Sequence, residues 1–334
     1  MSRPLPHRPR QWRQSKPAHM KIAFIADPLK GLKAYKDSSI FMMREASRRG
    51  HRVFAFEAGH LALVPQSTGN SVVLARAAEL SITADNHDWY KVVAEKEMAL
   101  TEFDTVLMRK DPPFDQAFLY ATLLLSAAEA QGARIINRPA ALRDYNEKLA
   151  ITRFPQFISP TLVTQDMTRI HTFIELHGDV IVKKLDGMGG TSIFRVRTDD
   201  ANRNAIIEVQ TRDGQETVMT QRYIPAIAQG DKRVLLIDGK PAPFALARIP
   251  KPGETRGNLA AGGRGVAQPL SDRDREIAET LGPQLKADGL TVVGLDIIGD
   301  YLTEVNVTSP TCMVEIFEQK GFNTAAMVMD AIEA

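Results

Sequence analysis

The 334-residue chain has one cysteine, Cys312, and no apolar run that approaches the length of a membrane-spanning helix. A single cysteine excludes an intramolecular disulfide and a cysteine-rich zinc site, and it is typical of a reducing compartment. The longest apolar stretches, such as YATLLLSAA at 120–128, fall far short of the ~20 residues that a transmembrane helix needs. We therefore expect a soluble, cytoplasmic protein with no membrane partner.

Acidic residues are absent from residues 1–19, which hold four arginines, one lysine and four prolines. Removing these five charges from the formal total of +2 leaves −3, so the rest of the chain is mildly acidic. The stretch has no periodic apolar face and no apolar core of a signal peptide, so we expect a disordered basic extension. A basic tail without a basic folded domain is weak evidence for nucleic-acid binding, and we expect no such partner.

From residue 20 onward, periodic apolar residues indicate alternating strands and helices. KIAFIAD at 21–27 and HRVFAFE at 51–57 are typical of buried strands, and the helix between them is expected to begin with Ser38 or Ser39 as its N-cap. After an irregular region around 60–100, we expect a strand at 103–110, a helix at 115–131 and a strand at 133–137. The alternation predicts a parallel α/β domain over residues 20–140.

In the second half, residues 141–334, strands more often follow one another directly, which is typical of antiparallel sheets. Strands are expected at 179–185, 191–197, 217–224, 232–238 and 241–249, with a helix at 271–288 and two helical stretches at the C-terminus. The stretch IPKPGETRGNLAAGGRGVAQPL at 249–270 is long for a structureless connection. We interpret its glycine-rich part, 249–265, as a functional lid.

Three oxygen-bearing side chains, Asp296, Glu304 and Asn306, interrupt the apolar strand pair GLDIIGDYLTEVN. A three-residue loop at 299–301 would pair Ile298 with Leu302 and place Asp296 opposite Glu304, on the face that Asn306 shares. Facing carboxylates need a positive partner, and oxygen donors without histidine or cysteine favour Mg²⁺ or Mn²⁺. A solvated polar face explains the spacing equally well, so the strand pair alone leaves both interpretations open.

A second motif, KKLDGMGGTSIF at 183–194, places Lys183 at the end of a strand and a glycine-rich turn after it. Glycines let backbone N–H groups approach a phosphate, and a lysine adds a point charge. The motif is neither a Walker loop nor G-x-G-x-x-G, because Ser192 occupies the last glycine position. Taken alone, a tight hairpin with positive-φ glycines is the more economical interpretation.

Seven short motifs in a fixed order resemble the prokaryotic glutathione synthetase family: MRKDPPFD, NEK, KKLDGMGG, GDKRVL, ARIP, ETRGNLAAGGRG and LDIIGD with the following LTE and NVTSPT. The resemblance runs from about Met20 to the C-terminus. It implies an α/β fold that becomes α+β in its second half, with the N-terminal domain followed by an ATP-grasp fold of two subdomains and antiparallel sheets.

The resemblance also implies an activity, the ATP-dependent ligation of γ-glutamylcysteine to glycine through an acyl phosphate, with Mg²⁺ or Mn²⁺, in a homotetramer. A different ATP-grasp ligase, such as a D-alanine ligase or a glutamate-adding enzyme, is the alternative within the superfamily. A nucleotide-binding regulatory module without catalysis is a further alternative, although retention of all three oxygen donors with Lys183 argues against it.

Site residues are implied by matching positions. The catalytic positions are Lys183, Arg233 and Arg248. The ATP-binding positions are Lys148, Lys183, Gly187, Gly189, Gly190, Gln221, Arg222, Tyr223, Ile224, Asp231 and Arg233. The positions that bind the dipeptide or glycine are Lys36, Asp37, Ser38, Ser39, Arg109, Arg256, Asn258, Ser309, Pro310 and Thr311. The metal-binding positions are Asp296, Glu304 and Asn306.

Three residues have competing interpretations. Without the resemblance, Arg109 would be assigned to an ordinary surface ion pair with Asp111. Lys184 stands where the family commonly has proline, and strand alternation directs its side chain away from Lys183 toward solvent. Cys312 could be taken for a thiol catalyst, but the ligation needs no protein nucleophile, and a lone cysteine is usually an inert small hydrophobe.

Overall fold

The computed structural model describes residues 19–67, 69–251, 257 and 262–334, which form three sheets and the helices that cover them. Most of the predicted lid and the basic extension up to residue 18 lie outside the described residues. Among the described helices, none is both long and apolar enough to cross a membrane.

The N-terminal sheet has seven strands. They are β1 (Lys21–Ile25), β2 (Arg52–Phe56), β3 (Leu61–Pro65), β4 (Ser71–Ile82), β5 (Tyr90–Ala99), β6 (Thr105–Met108) and β7 (Ile135–Ile136). Strands β2, β1, β6 and β7 are parallel neighbours, as predicted. The prediction of an irregular region around 60–100 is wrong, because β3, β4 and β5 lie there and β4 pairs antiparallel with β2, β3 and β5.

Helices cover both faces of this sheet. They are α1 (Ser38–Arg48), α2 (Gln116–Ala130) and α3 (Pro139–Asp144). The N-cap of α1 is Asp37, whose carboxylate accepts a hydrogen bond from the Ile40 backbone N–H at 2.9 Å, so the predicted cap at Ser38 or Ser39 is wrong. Both serine hydroxyls instead make tertiary contacts, described below.

A second sheet contains β8 (Thr161–Thr164), β9 (Asp179–Lys184), β10 (Ile193–Arg197) and β11 (Val218–Arg222), in the antiparallel order β10-β9-β11-β8. Helices α4 (Met167–His177) and α5 (Arg203–Thr211) cover one face. Because side chains alternate along β9, Val180 and Val182 join this core while Ile181 and Lys183 project from the opposite face.

The third sheet is also antiparallel, in the order β14-β13-β12-β15-β16. Its strands are β12 (Asp231–Ile237), β13 (Lys240–Ile249), β14 (Arg264–Pro269), β15 (Val292–Ile298) and β16 (Tyr301–Asn306). Helix α6 (Asp272–Ala287) begins with a capping box between Ser271 and Asp274, and α7 (Met313–Lys320) and α8 (Thr324–Glu333) end the chain. Strand β14 occupies the last part of the segment 249–270.

The β15–β16 hairpin places Asp296 opposite Glu304, as predicted, but by a different route. Ile298 pairs with Tyr301 and not with Leu302, so the turn has two residues, Gly299 and Asp300. The register then shifts between Asp296 and Ile297, which adds one residue to β16. The bulge restores the pairing that a three-residue loop would have given.

Asn137 joins the N-terminal sheet to the third sheet. Its side-chain Nδ2 donates to the backbone oxygens of Val292 (2.8 Å) and Val307 (2.7 Å). Its Oδ1 accepts from the N–H groups of Thr291 (2.8 Å) and Val292 (2.9 Å). One buried amide therefore satisfies four backbone groups of the strand pair that carries the predicted metal site.

The C-terminal helix α8 packs on α1 of the first domain. Arg49, which follows α1, donates to Asp330 at 2.7 Å and to the Ala326 backbone oxygen at 3.0 Å. The ring of His51 lies between the two ends of the folded chain: its Nδ1 accepts from the Met20 N–H at 3.2 Å, and its Nε2 lies 2.8 Å from the Glu333 carboxylate. The last helix is thus held by the first domain.

Candidate active site

A cleft of about 1430 Å³, a volume that includes solvent at its open mouth, lies between the second and third sheets. Most of the predicted site residues line it: Lys148, Lys183, Gly187, Gly189, Gly190, Gln221, Arg222, Tyr223, Ile224, Asp231, Arg233, Arg248, Asp296, Glu304, Asn306, Ser309 and Thr311. Residues from distant parts of the sequence are therefore brought together as the motifs predicted.

Two arginines and two aspartates form the floor of the cleft on the third sheet. Arg233 donates to both oxygens of Asp296, at 2.5 and 3.0 Å, and Arg248 lies 2.8 Å from the same carboxylate. Arg248 also donates to Asp231 at 2.5 Å. Register explains the grouping, because Arg233 faces Asp296 across β12–β15 and Asp231 faces Arg248 across β12–β13.

Burial and charge act in opposite directions on these carboxylates. Burial raises the pKa of Asp296, but the guanidiniums of Arg233 and Arg248 outweigh it and hold that pKa well below its usual range. For Asp231 burial dominates over the attraction of Arg248 and raises its pKa to about 7. The Oδ1 atom of Asp231 is buried and accepts no hydrogen bond from the described residues. It therefore has capacity for a ligand hydroxyl.

Gly294 on β15 makes room for this arrangement. A Cβ added there would lie 2.8 Å from Cδ of Arg233 and 2.9 Å from Cβ of Pro310. Real Cβ atoms do not approach other carbons so closely, so the side chain of Arg233 can lie across β15 only because residue 294 has none. Gly294, which directly precedes the LDIIGD motif, is therefore needed for the Arg233–Asp296 contact.

The remaining carboxylate of the predicted metal set, Glu304, faces two lysines. Its Oε1 lies 3.7 Å from Nζ of Lys148 and 3.9 Å from Nζ of Lys183. Lys183 reaches from the second sheet across the cleft and donates to the Thr303 backbone oxygen at 3.3 Å. Burial lowers the pKa of Lys183, although the negative charge of Glu304 acts to raise it. These lysines are the cationic groups that a phosphate chain would meet.

The glycine-rich turn after β9 is held by the segment that joins the two halves of the chain. Asn146 donates to the Leu185 backbone oxygen at 3.0 Å, and Nζ of Lys148 donates to the Gly187 backbone oxygen at 2.5 Å. Gly189 and Gly190 have φ values of 63° and 79°, which L side chains rarely adopt. The turn is thus positioned next to the two lysines by contacts that its own sequence does not reveal.

Hydrophobic residues line the other end of the cleft, beyond Lys183. They include Ile181, Ile193, Ile224, Ile227 and Ile298. Arg222 points away from this wall and donates to the Tyr301 hydroxyl at 3.1 Å. An apolar slot with few polar groups at its edge suits a flat aromatic ligand such as a nucleotide base.

Arg109 lies outside the lining of the cleft, in a buried cluster beneath its rim. It donates to the Ser39 hydroxyl at 3.1 Å and to the Pro310 backbone oxygen at 2.9 Å, while its Nη1 has no partner among the described residues. Burial lowers its pKa to about 10. The interpretation as a surface ion pair is therefore wrong, because Arg109 is only 4% exposed.

The other predicted substrate positions of the first domain adjoin this cluster. The Ser38 hydroxyl accepts from the Met313 N–H at 3.3 Å, Asp37 caps α1, and Lys36 is exposed. The structure thus brings Ser39 and Pro310 to Arg109, although none of the three lines the cleft. Arg256 and Asn258 lie outside the described residues.

Glu147 is a site residue that the sequence analysis did not identify. It lines the cleft, and its carboxylate lies 2.5 Å from Nζ of Lys148. Burial raises its pKa, and the nearby charge of Glu304 adds to the effect. Its position inside the NEK motif was a weak signal, because a glutamate beside a lysine is ordinary on a solvated surface.

Lys184 and Cys312 have the roles that the sequence analysis favoured. Lys184 lies on the opposite face of β9 from Lys183 and donates to Glu216 at 2.8 Å. Cys312 is 1% exposed, and burial raises the pKa of its thiol, although the positive charges of Arg233 and Arg248 act to lower it. A buried thiol with a raised pKa is a poor nucleophile.

Comparison with known proteins identifies relatives over nearly the whole chain. Family models match residues 20–143 (prokaryotic glutathione synthetase, N-terminal domain) and residues 147–321 (prokaryotic glutathione synthetase, ATP-grasp domain). The chain is 55% identical to a glutathione synthetase of Ralstonia nicotianae, over 94% of this chain and 95% of that protein. It is 53% identical to the enzyme of Neisseria meningitidis serogroup B, over 94% and 98%.

Solved structures support the fold at much lower identity. D-cycloserine synthetase DcsG superposes with a TM-score of 0.65 at 14% identity, covering 93% of this chain and 99% of that one. The ATP-grasp ligase PsnB, complexed with minimal precursor, Mg and ADP, gives a TM-score of 0.59 at 17% identity, covering 93% and 96%. The predicted ATP-grasp fold is confirmed, and the chain belongs to the prokaryotic glutathione synthetase family.

Proposed function

We propose that the cleft joins γ-glutamylcysteine to glycine, with cleavage of ATP to ADP and phosphate and with an acyl phosphate as intermediate. A carboxylate is a poor electrophile, so its phosphorylation prepares it for attack by the glycine amine. The observation that supports this most directly is the collection of four cationic side chains, Lys148, Lys183, Arg233 and Arg248, around one cleft that also carries carboxylate and amide oxygens. No protein nucleophile is required.

Each cation has a place in this scheme. Lys148 and Lys183 flank the glycine-rich turn and would neutralise the phosphate chain of ATP. Arg233 and Arg248, on the facing sheet, would stabilise the transferred phosphoryl group and the new acyl phosphate. Both arginines are held in place by Asp296 before substrate arrives, so little reorganisation is needed at the moment of reaction.

The residues also fit a divalent cation. Glu304 and Asn306 offer oxygens to the cleft, and a carboxylate such as Asp296 keeps lone pairs beyond those that its two arginines use. Within the described residues no three side chains of histidine, cysteine, aspartate and glutamate are close enough to hold a metal, so the amide oxygen of Asn306 would be the third protein donor beside Asp296 and Glu304. When bound, Mg²⁺ or Mn²⁺ would neutralise phosphate oxygens.

For γ-glutamylcysteine, the proposed carboxylate site is the buried cluster around Arg109. Ser309 and Thr311, at the edge of the cleft, are proposed to help bind the substrates. Arginine binds a carboxylate through two parallel hydrogen bonds, and Nη1 of Arg109 is still without a partner among the described residues. The proposed contacts from Arg256 and Asn258 belong to the lid segment.

Omission of each component in turn tests this function. Purified protein is mixed with ATP, Mg²⁺, γ-glutamylcysteine and glycine, and ADP and tripeptide are quantified together. Equal amounts of ADP and tripeptide, formed only in the complete mixture, are expected. Release of ADP that is independent of the dipeptide, or equal turnover with D-alanine in place of both substrates, would contradict the proposal.

Glu304→Gln tests the metal assignment, because it removes one charge without changing the shape of the side chain. Turnover is expected to fall by about 100-fold or more, while the urea midpoint changes little because Glu304 is partly exposed. Titration of Mg²⁺ and Mn²⁺ with the unmodified protein then shows which metal supports the reaction. Turnover of the variant within threefold of the unmodified protein would contradict the assignment.

We also propose a cytoplasmic homotetramer. The family resemblance supports the tetramer, and the single cysteine supports a reducing compartment. Size-exclusion chromatography coupled to light scattering measures the molar mass of the assembly. A mass equal to that of one chain at micromolar concentration would contradict the tetramer.

A further inference from the structure

The side chain of Gln221 is fixed by a short chain of hydrogen bonds behind the cleft. Gln221 lies on β11, lines the cleft and is 5% exposed. Its Nε2 donates to Oγ1 of Thr161 at 2.9 Å, and the Thr161 hydroxyl donates to the backbone oxygen of Ser159 at 2.8 Å. The two side chains face each other because β8 and β11 pair Thr161 with Gln221.

This chain of contacts determines which end of the amide faces the cleft. A backbone oxygen can only accept, so the hydroxyl hydrogen of Thr161 is used by Ser159. Oγ1 of Thr161 can then only accept from Gln221, and a reversed amide would place two acceptors 2.9 Å apart. Nothing in the described part of the chain donates to Oε1 of Gln221, so a hydrogen-bond acceptor is presented to the cleft.

The sheet register places this acceptor at the base end of the proposed nucleotide site, and this step rests on the proposed function. Gln221 pairs with Ile181, and Met219 pairs with Lys183. Ile181 and Lys183 share one face of β9, since they are two residues apart. The amide of Gln221 therefore lies beside Ile181, at the end of the cleft that the isoleucines line, and not beside Lys183.

We propose that Thr161 is a positioning residue that sets the base specificity of the nucleotide site through Gln221. An acceptor at Oε1 matches the 6-amino group of adenine, which donates. It opposes the 6-oxo group of hypoxanthine or guanine, which only accepts. Thr161 does not touch the nucleotide in this scheme; it prevents the amide from rotating to accommodate a 6-oxo base.

The size of the effect follows from the chemistry of the mismatch. Two acceptors in contact leave both without a donor. One such unpaired group typically reduces binding by about 10- to 100-fold. The unmodified protein is therefore expected to prefer ATP by that factor in kcat/KM over ITP, whose base has a 6-oxo group and a hydrogen on N1 where adenine has a 6-amino group and no hydrogen on N1.

Thr161→Val removes the hydroxyl and keeps the shape of the side chain, so it frees the Gln221 amide to rotate. The ATP/ITP ratio of kcat/KM is expected to fall to below about threefold. The change should lie in KM for the nucleotide, with kcat at saturating ATP within about twofold, because Thr161 is remote from the phosphates. Thr161→Ser, the matched control, keeps the hydroxyl and should retain the ATP preference of the unmodified protein.

The assay is ADP release with saturating γ-glutamylcysteine and glycine, over a range of ATP or ITP concentrations. The proposal is overturned if the unmodified protein uses ITP as well as ATP, if Thr161→Val keeps the original ratio, or if Thr161→Ser loses it to the same extent. If Thr161→Val does not fold, Thr161→Ala removes the same hydroxyl and is measured instead. Failure to turn over any nucleotide would count against the proposed function and not against this inference.

Discussion

Gly294→Ala is expected to disable the active site by displacing Arg233, although no charged residue is substituted. The new methyl group would lie 2.8 Å from Cδ of Arg233 and 2.9 Å from Cβ of Pro310. Normal contact between two carbons requires about 3.5–4.0 Å. Arg233 must therefore move outward by roughly 1 Å, because the proline ring on the other side has little freedom to yield.

Two magnitudes follow from that displacement. Arg233 is 6% exposed and makes two hydrogen bonds to Asp296, at 2.5 and 3.0 Å, which a shift of this size weakens or breaks. Overpacking of a buried site costs about 1–3 kcal/mol of folding free energy. A misplacement of roughly 1 Å in a group that stabilises the reaction lowers the rate by about 100-fold.

The measurements are kcat for ADP release and the urea midpoint of unfolding for the variant and a matched control. Gly59→Ala adds the same methyl group where no atom of the described residues lies within 4 Å, its own chain neighbours aside, and the φ of Gly59 is not positive. The control should keep kcat within about twofold of the unmodified protein. If Gly294→Ala also kept kcat within threefold, the argument that Gly294 makes room for Arg233 would be refuted.

Three further predictions, which use four substitutions, can be tested independently of one another. Asn137→Ala leaves four backbone groups without their partner and should lower the free energy of unfolding by about 2–4 kcal/mol in urea, whereas a loss below about 1 kcal/mol would deny it a structural role. Hydrogen bonds from Arg48 and Arg49 lower the pKa of Glu45 from 4.5 to about 2. The stabilisation of the folded state by Glu45 is therefore fully present above pH 4.5 and is lost as pH falls toward 2. Glu45→Gln should therefore remove about 2 kcal/mol of the difference between urea unfolding at pH 7 and at pH 2.5, and an unchanged difference would contradict the assignment. Lys183→Ala should lower turnover by about 100-fold while Lys184→Ala changes it by less than about twofold, and equal losses would show that strand alternation misplaced the two lysines.

The sequence was sufficient to predict that three oxygen-bearing side chains share one face of the third sheet, because side-chain alternation is a local property. Asp296, Glu304 and Asn306 share a face whichever turn joins their strands, provided that the register holds. The turn itself was predicted wrongly, since Gly299–Asp300 with a bulge and a three-residue loop give the same pairing at Asp296. Periodicity therefore predicts the face of a residue better than it predicts the local backbone.

The missed strands β3, β4 and β5 show where periodicity fails. Residues 91–97 of β5 are all exposed, because among the described strands this one pairs only with β4 and has solvent on both of its own faces. Strand β4 is rich in alanine, which gives little contrast between its faces. Without a buried face there is no alternation to detect, and pairing with β4 along its length decides the structure.

Other features depend on tertiary contacts that have no local signal. Three adjacent residues, Asp37, Ser38 and Ser39, are all suitable N-caps, and only the burial of the serines against Arg109 and α7 decides among them. Glu147 belongs to the site because burial raises its pKa and the fold brings it close enough to Glu304 for the charge of that carboxylate to raise the pKa further. Sequence patterns cannot distinguish such a carboxylate from one that is solvated.

The bridge formed by His51 between Met20 and Glu333 has a practical consequence for the connectivity of the fold. Because one imidazole ring separates these residues, a linker of a few glycines could join them and close a short loop at little entropic cost. New termini could then be opened in the exposed turn at Asp213 and Gly214. Such a circular permutant of residues 20–334 should fold and keep its cleft, since both sheets that line it would be left uncut.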